Sequence, residues 1–181
     1  MHVGAKKVAV AGLLAAFVVV MMVLSSVIET NTLFLIAAAS FCVGIAVREW
    51  GLGLGFGFYV SCIILNFFVV PNKLYCITFA GMGLYIWLSE VLWEKIAATG
   101  KMRFRTVALW IGKYLIFNLL YVPALFFAPQ LLFSGKMNGL AAILFLLLGQ
   151  AAFFLYDVAY RYVQSRIWGK IRRTLLDYKG K

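Results

Sequence analysis

Chemistry needs particular side chains within reach of one another, and in this sequence the absent ones exclude the most. The single histidine, His2, stands beside the first residue. No histidine-based triad or histidine metal site can therefore lie within the apolar body of the chain. The patterns G-x-S-x-G, H-E-x-x-H and G-x-x-x-x-G-K-[ST] are missing. Their absence removes the serine-hydrolase elbow, the zinc-protease helix and ATP hydrolysis by a P-loop of its own. Cys42, Cys62 and Cys76 lie inside apolar runs without a C-x-x-C pair. They read as small buried hydrophobes rather than a disulfide framework or a metal site. No catalytic residue, metal site or cofactor is assigned, and the chain is not expected to be an enzyme.

Three ionisable groups inside apolar runs are the sharper signal. Lys113 lies seven residues into the run 106–128, while Glu90 and Asp157 lie three residues from the ends of the runs 74–93 and 139–160. A charge at a helix centre costs about 2.5–3.5 kcal/mol on insertion scales. All three groups fall at similar depth, so Lys113 paired with Glu90 or with Asp157 would offset that cost. A proton or ion relay would use the same residues, but a relay should also have acids at mid-depth. None is present there, so a structural ion pair, or snorkelling of Lys113 to the surface, is the expected reading.

Uncharged polar residues form two further sets. Tyr114, Asn118 and Tyr121 share one helical face, as do Gln150 and Asp157; such faces normally turn into a bundle. A second set gathers at the opposite side of the membrane: Glu29, Asn31, Asn66, Asn72, Lys73, Tyr75, Thr78, Gln130 and Asn138. Polar groups beside aromatic residues are the usual makeup of a small-molecule pocket. Loop ends and interfacial tyrosines are polar in any membrane protein, so the two readings stand level.

These residues must be positioned by helices. Apolar residues make up 65% of the 181 and charged ones 13%, more apolar surface than one soluble core of this size would hide. Crossing about 30 Å of hydrocarbon takes roughly 20 apolar residues. The chain supplies six such runs, at 8–28, 32–47, 52–70, 74–93, 106–128 and 139–160. A bilayer forces each span to satisfy its own backbone, so these runs predict an all-α, polytopic bundle of six transmembrane helices over residues 1–160. Gly51, Gly53, Gly55 and Gly57 superficially suggest a phosphate loop, but no strand precedes them. The spacings 51/55 and 53/57 suit close helix packing better. Lys6-Lys7 before the first run resembles a secretory signal, yet that run is long and no A-x-A pattern follows Ser26. The first span is expected to stay.

Net charge is +11, and its placement reports topology rather than nucleic-acid binding. Fourteen Lys and Arg fall on the segments sharing a side with the termini, against two, Lys73 and Lys136, on the other side. The positive-inside rule then places both termini in the cytoplasm. The tail, 161–181, carries Val163, Ile167, Ile171, Leu175 and Tyr178 as an apolar stripe among Arg166, Lys170, Arg172 and Arg173. That pattern predicts a basic amphipathic helix on the inner leaflet.

Six tightly connected helices, both ends inside and no ATPase motif resemble the S components of energy-coupling factor (ECF) transporters. Ala11-Gly12-Leu13-Leu14-Ala15 matches the A-x-x-x-A contact of that family, and Ala5 and Ala9 share the spacing. The resemblance implies a place in a bacterial cell (inner) membrane and substrate capture for a vitamin-like molecule or micronutrient near the outer surface. It also implies docking through Ala11 and Ala15 on a transmembrane coupling subunit, with two cytoplasmic ATPases supplying energy. The layout is similar as well to the rod-shape protein MreD, which would make the chain a membrane scaffold without transport activity.

Overall fold

The structure, a computed structural model, describes residues 4–97, 102–127 and 139–175. Its helices follow the six hydrophobic runs, and the breaks at Gly51 and Pro71 carry residues that end a helical ladder. Helix α1, Ala5–Val27, passes through a 3-10 turn at Glu29–Asn31 into α2, Thr32–Trp50. The Thr32 hydroxyl ties this turn back to the Ser25 carbonyl at 3.1 Å. Gly51 ends α2 with φ +87, a left-handed conformation that costs glycine least, and its N–H donates to the Val47 carbonyl. Helix α3, Leu52–Val69, starts at once. It stops before Pro71, with Val70 extended as the residue preceding a proline must be. Asn72 then caps α4, Lys73–Ala97, by accepting from the Leu74 N–H at 3.0 Å. Helix α5, Met102–Phe127, runs on through Pro123. Helix α6, Gly139–Tyr162, leads through a π-helical segment, Val163–Trp168, into α7, Gly169–Leu175.

Six of these helices are long and apolar enough to cross a membrane. The chain is an all-α, multi-pass membrane bundle. Helix α2 is its axis: Ile36 and an unbroken stretch from Ala39 to Val47 are buried. Small residues allow this, since α1, α3 and α4 all lie against it. Helix α1 offers Val10, Leu14, Val18 and Met22, one every fourth position, as its buried face. These join Ile36, Val43, Tyr59, Cys62 and Phe79 in one core spanning α1 to α4. A second, smaller core holds Phe41, Tyr85, Ile86, Phe153 and Tyr160 between α2, α4 and α6. Helix α5 stays at the edge: 11% of its span is buried, against 56% for α2.

Of the four closely spaced glycines, only Gly55 makes the expected close approach, with its Cα against the backbone and side chain of Val47. Gly51 is the turn, and Gly53 and Gly57 face open space. Glycine spacing alone does not say which face meets a neighbour. The tail also differs from the picture of a free surface helix. Helical structure continues from α6 without a break, and the π-helical segment adds one residue to its turn. That register brings Tyr160, Gln164 and Trp168 onto the bundle face, where all three are buried. The Trp168 indole N–H donates to Glu49 at 2.9 Å, and Arg172 pairs with the same carboxylate at 3.0 Å. Ile167 and Ile171 remain exposed, and Val163 packs against the second core. Tyr178 and the side chain of Leu175 lie outside the described residues.

Candidate functional site

The densest polar chemistry sits where α2, α4 and α6 end and α5 begins, hereafter the basic end. Lys113 meets Asp157, with Nζ 2.6 Å from Oδ1. Asp157 is 1% exposed at its side chain and also accepts from the Tyr85 hydroxyl at 3.2 Å. Its second oxygen lies 3.1 Å from Nε of Arg161, one helical turn further along α6. Glu90, the other candidate partner of Lys113, is held elsewhere. Arg48 donates to both of its oxygens from Nε at 3.0 Å and again from Nη2 at 2.6 Å. The Tyr160 hydroxyl adds a bond of 2.6 Å. Two buried carboxylates thus collect three cations and two phenols from α2, α4, α5 and α6. Paired and hydrogen-bonded charges of this kind are the only ones a membrane interior tolerates well.

Aromatic rings wall the network. Tyr160 lies under the Arg48 guanidinium at 5.4 Å, and Trp110 lies under that of Arg161 at 4.9 Å. Tyr160 fits only because Gly44 faces it; a β-carbon there would overlap the phenol ring and hydroxyl. A neighbouring polar bridge joins Ser40 to the Tyr156 hydroxyl at 2.7 Å, and that hydroxyl donates to the Met82 carbonyl. Beside the network a cavity of about 630 Å³ opens, with Arg48, Glu90, Trp93, Glu94, Lys113 and Arg161 in its walls.

Polar residues at the opposite end behave differently. Asn66, fully buried, donates its amide to the Cys62 carbonyl one turn back. Lys73 donates to the carbonyls of Phe67 and Val70 at the end of α3, and its ammonium lies over the Phe67 ring. Thr78 donates to the Leu74 carbonyl, and Asn72 is the cap already described. Tyr75 packs against the main core from the same turn. Asn31 is exposed at the α1–α2 turn. The structure thus brings Asn66, Asn72 and Lys73 together around the α3–α4 turn, each bound to nearby backbone. The side chain of Glu29, and all of Gln130 and Asn138, lie outside the described residues.

Midway between the ends, the Gln150 amide donates to Asn118 Oδ1 at 3.0 Å, joining α6 to α5. The Tyr121 hydroxyl reaches the Phe145 carbonyl at 2.6 Å. The two shared faces expected of these helices therefore meet each other. On α1, Ala11 and Ala15 are partly buried, and Ala15 packs against the main core. The face turned away from the bundle carries Ala5, Ala9, Gly12 and Ala16 instead, all exposed. At about 100° per residue these four fall in one narrow line, opposite Leu14 and Val18.

Arg48, Arg161, Tyr85 and Tyr160 are network members that sequence reasoning missed. Arg161 carries a readable signal, since it stands four residues after Asp157 on one helix face. Tyr160 meets Glu90 from 70 residues away, and no local spacing announces that. No family model, curated protein or solved structure matches the chain.

Proposed function

We propose that this chain is the capture subunit of an importer of the energy-coupling factor kind, working in a bacterial cell membrane with both termini in the cytoplasm. In this reading it binds a vitamin-like small molecule or micronutrient. It docks through α1 on a transmembrane coupling subunit energised by two cytoplasmic ATPases. One observation carries the reading: the line Ala5, Ala9, Gly12 and Ala16 on the outward face of α1. Leu13, Phe17 and Val20 are also exposed beside it. A smooth strip beside bulky side chains is what another helix needs for close approach in lipid, where no hydrophobic force drives association. The contact falls on these four residues rather than on Ala11 and Ala15, because Ala15 already serves the chain's own core.

A second reading, a scaffold of the MreD kind, is favoured by the opposite end. There Asn72, Lys73 and Thr78 bond to nearby backbone and the Asn66 amide donates to Cys62. That suits a turn that must hold firm, although Asn66 Oδ1 is buried without a partner among the described residues.

The double variant Gly12→Trp with Ala16→Trp separates the two. Both positions face away from the bundle, so expression and melting in detergent should stay near wild type. Affinity purification in mild detergent should recover an ATPase pair with the wild type and none with the variant. A wild-type preparation free of ATPase subunits and of any retained small molecule by mass spectrometry would leave the scaffold reading alone.

A further inference from the structure

The cavity at the basic end has more donors to offer than acceptors, and we infer that it binds an oxyanion, a phosphate or carboxylate group. Its walls carry the cations Arg48, Lys113 and Arg161 and the carboxylates Glu90 and Glu94. A guanidinium has five N–H donors and an ammonium three. Arg48 meets Glu90 through Nε and Nη2 only. Lys113 gives one bond to Asp157, and Arg161 approaches that carboxylate through Nε. Donors therefore remain on all three cations. The buried carboxylates have less left to accept: Glu90 holds Arg48 and Tyr160, and Asp157 Oδ1 holds Lys113 and Tyr85. Asp157 Oδ2 lies 3.1 Å from Arg161 Nε, without a hydrogen bond among the described residues, and is shut away from the opening.

The two arginine side chains are 42% and 49% exposed, so their forks reach the opening. A planar fork matches a phosphate or carboxylate in two bonds at once. Trp93, half exposed at the wall, gives the ligand an apolar edge and gives the experiment a reporter. Two sources share this chemistry. One is the phosphodiester headgroup of an anionic lipid, which basic pockets between membrane helices accept. The other is a soluble phosphate. The inference stands apart from the capture reading, whose ligand enters at the opposite end.

The full chain is purified, depleted of lipid in detergent, and melted with inorganic phosphate against chloride at equal ionic strength. In parallel it is placed in nanodiscs of phosphatidylglycerol or of phosphatidylcholine. Melting temperature and tryptophan fluorescence are read in both, and the Trp93 share of the signal is taken by difference from Trp93→Phe, since the chain has five tryptophans. Stabilisation by phosphate in micelles assigns the soluble ion, and stabilisation by phosphatidylglycerol alone assigns the lipid headgroup. Arg161→Gln should weaken the effect about tenfold, while Arg161→Lys retains more of it. Glu94→Gln removes an exposed negative charge from the wall and should tighten binding about threefold. A gain of this kind is one that misfolding does not imitate. The inference is overturned if neither anion stabilises the wild type over its counterpart, or if wild type, Arg161→Gln and Glu94→Gln respond alike.

Discussion

Both ends of this bundle are rich in polar side chains, and they use them in opposite ways. At the α3–α4 turn the hydrogen bonds made by polar side chains go to backbone within a few residues: Asn66 to Cys62, Asn72 to Leu74, Lys73 to Val70. At the basic end the partners are distant in sequence, with Arg48 42 residues from Glu90 and Lys113 44 from Asp157. A local bond closes one helix end and stabilises that helix whether or not its neighbours are in place. A bond across helices exists only when several helices are assembled, and it holds them in one register. The basic end therefore carries the tertiary specificity of the bundle, and the opposite end carries its local punctuation.

The largest effect should come from breaking the network at its most buried atom. Asp157→Leu strands Lys113, whose side chain is only 14% exposed, and should cost about 3–5 kcal/mol. Adding Lys113→Met should recover part of that loss in the double variant. Combining Lys113→Met with Glu90→Gln should give additive losses. Unfolding titrations in detergent of the wild type, the three single variants and the two double variants check this, and coupling of Lys113 to Glu90 rather than Asp157 would redraw the network.

A smaller effect is expected where packing, not charge, positions the network. Gly44→Ala places a methyl group where the Tyr160 phenol lies, and overpacking of this kind costs about 1–3 kcal/mol. Tyr160→Leu removes the overlapping ring but also the bond to Glu90, so the test is a double-mutant cycle: Gly44→Ala should cost less in the Tyr160→Leu background than in the wild type. Equal cost in both backgrounds would mean that Gly44 matters for backbone reasons instead.

The smallest effect belongs to the opposite end. Asn72→Ala removes the cap of α4 and should cost about 1 kcal/mol. Hydrogen exchange should quicken in the first turn of α4 and stay unchanged around Glu90 and Asp157. A loss exceeding that of Gly44→Ala would show that this turn, too, is coupled across helices.

Much of the architecture was legible without coordinates, because a bilayer turns fold into a local problem. Each span must satisfy its own backbone and cover the hydrocarbon by itself, so the six runs between Val8 and Tyr160 already mark six helices. Polar breaks between them are equally local: Gly51, Pro71 and Asn72 act on their immediate neighbours. The need of Lys113 for a partner is also in the sequence, since burial of a lone charge is costly in any fold.

Only the tertiary structure decided which partner that is. Glu90 and Asp157 lie at similar depth, and the choice fell to Asp157 because Arg48 on α2 and Tyr160 on α6 already hold Glu90. Likewise, the spacing of Ala11 and Ala15 marks a smooth strip without saying which way it faces. The core formed with Val10, Leu14 and Val18 draws Ala15 inward and leaves Ala5, Ala9, Gly12 and Ala16 outside. In the tail the apolar stripe through Ile167 was visible, but Trp168 turned inward to reach Glu49 on α2. Helix phase follows from what a face meets, and spacing within one segment carries no information about that.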